Sequence, residues 1–202
     1  MEIIDISTEI SERMTIYPGN PGVSIKTRRN ADGFAVSELR IGSHTGTHMD
    51  APYHVFDSGK RAGGTKLEKL YGRCRVLDLT KVKGSVEADD IRVFRIRRGE
   101  IILLKTRNSL IKSKRFRKDF VYIGKSAAKL LAESGANAVG VDYLSVEKFG
   151  AKPESHRILL SKMAVFEGLS LSSVKPGSYI FIGFPIKIGI DAAPVRAVLI
   201  KN

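Results

Sequence analysis

The chain has 202 residues, 43% hydrophobic and 27% charged, a balance that suits one well-filled core and is short for two. No apolar run approaches the roughly 20 residues that span a bilayer, and a lone Cys74 excludes an internal disulfide, as expected of a reducing cytoplasm. The formal charge of +13 raises the possibility of a nucleic-acid partner.

Met1 to Ser7 alternates and is rich in Ile, which predicts a first strand. The N-terminus lacks the basic segment of a signal peptide. Thr15 to Gly22, with two Pro-Gly or Asn-Pro-Gly corners, is a turn-rich loop carrying Tyr17, which either caps the core or lines a pocket. Val23 to Thr27 and Phe34 to Ile41 read as strands, the second with Phe34, Val36, Leu39 and Ile41 apolar. That second strand is expected to deliver the next segment, Ser43 to His54. Three of the four histidines fall there.

His44 and His48 are four apart, as on one helix face, but Gly46, Thr45, Thr47 and Pro52 oppose a helix. The residue after His44 is Thr45, so the helical zinc-protease motif is also excluded. A strand end running into a tight loop remains. Imidazoles and a carboxylate crowded on such a segment point to a metal site built from His44, His48 and Asp50. His54 is the better candidate for proton transfer, because an imidazole free of the metal serves as acid or base.

Further along, Lys66 to Gly72 is a helical turn at most, and Cys74 to Leu79 a strand. Ser85 to Val93 reads as a short capped helix. Glu100 to Thr106 is apolar without alternation, the mark of a strand buried on both faces. Basic residues concentrate at 92–98 and at 105–118, including Lys112 and Lys114. With few aromatics between them, a solvated face explains them better than a nucleic-acid surface, and steering of an anionic substrate is a third account. Ser126 is placed to cap, and Gly135 to stop, the clearest helix. Ala138 to Asp142 is a strand. His156 opens a helical turn, Ala164 to Phe166 is a strand ended by Glu167-Gly168, and Tyr179–Ile190 and Val195–Ile200 close the chain. The pattern is α/β, a single strand-rich domain over residues 1–202. His156 and Glu167 are the natural completion of an unfinished metal cluster.

The motif His44-Thr-Gly-Thr-His48-Met-Asp50-Ala-Pro-Tyr-His54 resembles that of the cyclase family of metal-dependent hydrolases, which includes bacterial kynurenine formamidase and isatin hydrolase. Tyr17-Pro-Gly-Asn, Gly140-Val-Asp-Tyr-Leu-Ser145, His156-Arg-Ile-Leu-Leu160, Glu167-Gly-Leu169 and Pro194-Val-Arg-Ala-Val-Leu199 extend the resemblance along nearly the whole chain. The resemblance implies a swivelling β/β/α fold, a homodimer or homotetramer, and a small-molecule amide substrate; hydropathy predicts no membrane, and a basic nucleic-acid-binding protein is the lower alternative. It implies one metal on His44, His48 and Asp50 and a second on Asp50, His156 and Glu167, with His54 as proton donor and acceptor. The N/O ligand set suits Zn2+, one or two ions per subunit, and tolerates Mn2+. The implied reaction is hydrolysis by metal-activated water of an aryl formamide such as N-formylkynurenine, or alternatively of a cyclic amide such as isatin. Two departures stand out. The His156-to-Glu167 interval is one residue shorter than the family pattern, which would shift the second site. Tyr17 occupies the place of a Trp or Phe that packs on the substrate ring.

Overall fold

The computed structural model describes residues 1–111, 113 and 115–201, so Lys112 and Lys114 of the basic stretch lie outside the described residues. Strands dominate. β1 (Glu2–Asp5), β4 (His48–Asp50), β5 (Tyr71–Leu79), β7 (Ile101–Thr106), β9 (Ala138–Val141), β10 (Ala164–Glu167), β11 (Gly177–Pro185) and β12 (Ala192–Lys201) form an eight-stranded sheet in the order β1-β12-β11-β5-β7-β9-β10-β4. A further pairing of β4 with β12 closes all of these strands except β1 into a barrel. β5, β7, β9 and β10 run parallel, and the other pairings are antiparallel.

The uninterrupted apolar run of β7 follows from its two buried faces. Ile101 and Leu103 point into the barrel with Phe166, Phe181, Ala197 and Leu199. Ile102 and Leu104 point outward, under α2 (Lys125–Glu133) and α3 (Glu154–Leu160), where Ala127, Leu131 and Leu159 cover them. A parallel strand sandwiched this way has no solvent side to make polar. Space inside the barrel is tight: a Cβ on Gly140 would lie 2.7 Å from Leu103 and 2.5 Å from Leu169.

Several sequence expectations need correction. The strand over Phe34–Ile41 is β3 (Ala35–Arg40), but it pairs only with β2 (Ser24–Arg29) and does not deliver the histidine segment into the sheet. The hairpin stands apart from the barrel, with Phe34 68%, Val36 48% and Leu39 53% exposed. β4 carries the histidine segment instead. Ser126 is not the cap of α2, since Gly124 holds that position. The Ser126 hydroxyl instead donates to Glu87 and accepts from the Ala88 N–H, tying α2 to α1 (Ala88–Arg92). Within Ser85–Val93, β6 (Ser85–Val86) pairs with β8 (Tyr122–Ile123) before Glu87 and Asp90 form the capping box of α1. The strand expected to reach Ile190 ends at Pro185. Gly135 does end α2, at φ +73. Among the basic residues, Lys105 donates to the Ser172 and Val174 carbonyls and Arg117 pairs with Asp119 at 2.6 Å. No helix among the described residues is long and apolar enough to cross a membrane.

Candidate metal centre

Three barrel strands and one helix converge on a single buried cluster. β4 lies between β10 and β12, with His48 opposite both Glu167 and Pro194, and Asp50 opposite both Val165 and Ala192. This register sets His48, Asp50 and Glu167 on adjoining strands. His44 comes from the turn before β4. Gly46 makes that turn possible at φ +64, and its carbonyl accepts from His48 Nδ1 at 2.9 Å, leaving Nε2 free to face the cluster. Gly168 lets the end of β10 approach this turn: a Cβ there would lie 2.4 Å from the Gly46 oxygen. The Gly168 carbonyl accepts from the Thr8 and Thr47 hydroxyls at 2.8 and 2.6 Å. The arrangement fixes backbone against backbone.

His156 enters from α3. Glu147 accepts from the Ser155 and His156 N–H groups at 2.9 and 3.3 Å, capping the helix start, and also lies 3.5 Å from His156 Nδ1. Glu167 Oε1 accepts from the Val146 N–H at 2.7 Å and faces His156 Nε2 at 3.2 Å, while its Oε2 faces His48 Nε2 at 3.3 Å. The short interval between His156 and Glu167 therefore still brings their donor atoms together. Around Asp50, Oδ1 lies 3.0 Å from His44 Nδ1 and 3.4 Å from His48 Nε2, and Oδ2 lies 3.6 Å from His156 Nε2.

These separations match a metal site. Ligand atoms about 2.0–2.1 Å from a tetrahedral zinc are about 3.3 Å from one another. His44, His48, Asp50 and Glu167 each offer an atom to one such group, and Asp50, His54 and His156 to another. Asp50 belongs to both groups; the second has His54 where the sequence expectation had Glu167, although Glu167 Oε1 still faces His156 Nε2 at 3.2 Å. The Asp50 oxygens are buried and accept no hydrogen bond from the described residues, a costly arrangement for a carboxylate unless a cation completes it. The donor set fits a divalent ion.

The electrostatics agree. Burial opposes a proton on His44, but Asp50 and the hydrogen-bonded Asp191 outweigh it and hold the group up at about 10. His48, likewise desolvated, is raised to about 9 by the Asp50 and Glu167 carboxylates, which lie 3.4 and 3.3 Å from its Nε2. Asp50 is held well below the usual carboxylate range despite its burial, by His44 and its neighbouring imidazoles. The field of two buried carboxylates favours positive charge at these nitrogens, and a metal cation satisfies it with the imidazoles neutral. His54 differs. Burial pushes its pKa down, and its side chain, 31% exposed against 15% for His44 and 0% for His48, opens on solvent.

His44, His54, His156, Glu167 and Tyr17 share the wall of a cavity of about 190 Å³, which also includes Lys148. Tyr17 is held edge-on to Phe116, centroids 5.1 Å apart, and tilted against Phe149. His48 and Asp50, the other two site residues singled out from the sequence, are buried behind this wall, with His48 Nε2 3.3 Å from Glu167 Oε2 and Asp50 Oδ1 3.0 Å from His44 Nδ1. Asp191 is the residue sequence reasoning missed: its carboxylate accepts from His44 Nε2 at 2.8 Å and lies 3.8 Å from His54 Nδ1. A single aspartate between apolar residues carries no spacing signal.

Known proteins share this architecture. The Cyclase family model matches residues 4–148. The chain belongs to the cyclase family. It is 36% identical to the kynurenine formamidase of Salinibacter ruber over 206 aligned residues, covering 98% of this chain and 97% of that one. It is 30% identical to the kynurenine formamidase of Geobacillus thermodenitrificans, with coverage of 98% and 97%. Among solved structures, a predicted metal-dependent hydrolase from Bacillus stearothermophilus superposes with a TM-score of 0.87 at 33% identity, covering 98% of this chain and 97% of that one. An isatin hydrolase bound to thioisatinate shares the fold at a TM-score of 0.83 and 20% identity, over 98% and 91% of the two chains.

Proposed function

We propose that this protein is a metal-dependent amide hydrolase that removes the formyl group from an aryl formamide of the N-formylkynurenine type. The observation that carries the reading is the buried Asp50 carboxylate, without hydrogen-bond donors among the described residues, ringed by His44, His48 and His156 beside a freer His54. Near-full-length similarity to kynurenine formamidases supports the substrate class.

In this reading His44, His48, Asp50, His156 and Glu167 hold one or two ions, Zn2+ or Mn2+. The ion polarises a carbonyl oxygen and acidifies water. The chain's residues do the rest. His54, neutral at pH 7 because burial lowers its pKa, takes a proton from the attacking water and returns it to the aniline nitrogen as the C–N bond breaks. Formate and the free amine are the products. A positioned acid–base group of this kind contributes roughly 10²–10⁴ in rate. Tyr17, already braced by Phe116 and Phe149, offers its ring to the substrate ring.

A cyclic amide such as isatin is the second reading, supported by the fold shared with an isatin hydrolase bound to thioisatinate. We further propose a cytoplasmic homodimer or homotetramer. The single cysteine is buried and free, and the exposed apolar side chains of the β2–β3 hairpin offer an association surface.

The test is turnover of N-formylkynurenine by metal-stripped protein before and after Zn2+ or Mn2+ is restored. Activity that returns only with metal supports the formamidase. Metal binding without turnover of this substrate would reject it and move the assay to isatin.

A further inference from the structure

The metal-facing imidazoles are each held from behind. His48 Nδ1 meets the Gly46 carbonyl and His156 Nδ1 lies near Glu147. The corresponding support of His44 comes from Asp191, in the bend that leads into β12. There, the carboxylate accepts from His44 Nε2 at 2.8 Å, which commits Nδ1 to the cluster, where Asp50 Oδ1 lies 3.0 Å away. The same residue acts twice on the ligand segment, because its backbone carbonyl accepts from the Ala51 N–H at 2.9 Å, one position past Asp50. The His54 ring lies tilted at 52° to that of His44 with centroids 4.3 Å apart, and its Nδ1 lies 3.8 Å from the same carboxylate oxygen.

We infer that Asp191 is a positioning residue for the metal centre: its carboxylate fixes the ring orientation and tautomer of His44, so that His44 Nδ1 is the coordinating atom. The inference rests on reading the cluster as a metal site. A carboxylate behind a ligating imidazole both orients the ring and makes it a better donor, and loss of such a partner typically weakens metal binding 10- to 100-fold. Although His44, His54 and Asp191 could themselves surround an ion, the 2.8 Å contact of Asp191 with His44 Nε2 is a hydrogen bond that needs none.

The experiment compares Asp191→Ala and Asp191→Asn with the parent. Zinc affinity and stoichiometry are measured on metal-stripped protein by competition with a chromophoric chelator, and thermal denaturation checks the fold. Asp191→Ala is expected to bind the same number of zinc ions at least about tenfold more weakly. Asp191→Asn, which keeps an acceptor oxygen, should recover most of that loss. In the zinc-loaded parent, the His44 Nε2 proton should appear as a protected, downfield imidazole resonance, shifted upfield in Asp191→Asn and absent in Asp191→Ala. If the alanine variant does not fold, the asparagine resonance decides. Parental zinc affinity in folded Asp191→Ala, or an unshifted His44 resonance in Asp191→Asn, would overturn the inference. So would loss of one whole zinc equivalent with the rest bound at parental strength, which would make Asp191 a ligand. A His48→Ala control separates the two levels: if neither it nor the parent binds zinc, the metal reading itself fails.

Discussion

Gly168→Ala tests the way the fold positions the centre. Gly168 has φ +69, where an L side chain costs roughly 1–2 kcal/mol. The added methyl would also lie 2.4 Å from the Gly46 carbonyl oxygen and 3.0 Å from its carbon, both backbone atoms that no rotamer change can move. Overpacking of this kind adds typically about 1–3 kcal/mol, for a total of roughly 2–5 kcal/mol. At about 2–4 °C per kcal/mol for a chain of this length, the melting temperature should fall by about 4–20 °C. The displaced Gly46 carbonyl is also the partner of His48 Nδ1, so zinc affinity should fall by about tenfold or more. Gly150→Ala is the control. Its φ is +75 with nothing within 4 Å of the new methyl, so it carries the backbone cost alone. Paired melts and zinc titrations of the two variants read out the difference. Equal destabilisation by the two substitutions, with zinc binding intact in both, would refute the claim that this backbone contact holds the centre.

Other predictions follow from the same geometry. His54→Ala should retain zinc and lose about 10²-fold or more in kcat; loss of zinc would make it a ligand instead. Asp50→Ala removes the oxygens that face all three metal-facing imidazoles, so zinc by elemental analysis should drop to background, and full occupancy would remove Asp50 from the centre. Burial lowers the pKa of His54. The base form therefore persists at pH 7, and kcat/KM should fall only as pH drops through a midpoint below the unperturbed value of about 6.5; a midpoint above that value would contradict the role. Burial pushes the Cys74 thiol up, so it should resist iodoacetamide in the folded protein and react after denaturation; rapid labelling of native protein would contradict its place in the core.

The centre was legible in the sequence because its donors crowd into one segment, and because Glu167 stands at a strand end before a glycine. Such positions have few alternative uses for two buried charges. β7 was legible for a similar reason, its unbroken apolar run having no solvent-facing explanation. Other features depend on partners that the local pattern does not name. The alternation of β3 looks like a core-facing strand, yet no layer among the described residues covers it. Ser126 has the chemistry of a cap, but it stands one residue inside α2, and its hydroxyl is engaged by Glu87 and the Ala88 N–H. Asp191 acquires its role only when β12 closes against β4, a contact between residues more than a hundred positions apart.

That closure links durability to chemistry. β4 contributes only three residues, yet it joins β10, at one end of the parallel half of the barrel, to β12. Two of the three are His48 and Asp50. Glu167 stands on one flank of this seam and Asp191 at the start of the other. A cation held among them would clasp both three-pair ladders of β4, and without it the buried Asp50 and Glu167 carboxylates repel across one of them. This short closing strand and the candidate metal centre are one structure, so a substitution that retunes the centre also resets how readily the barrel opens.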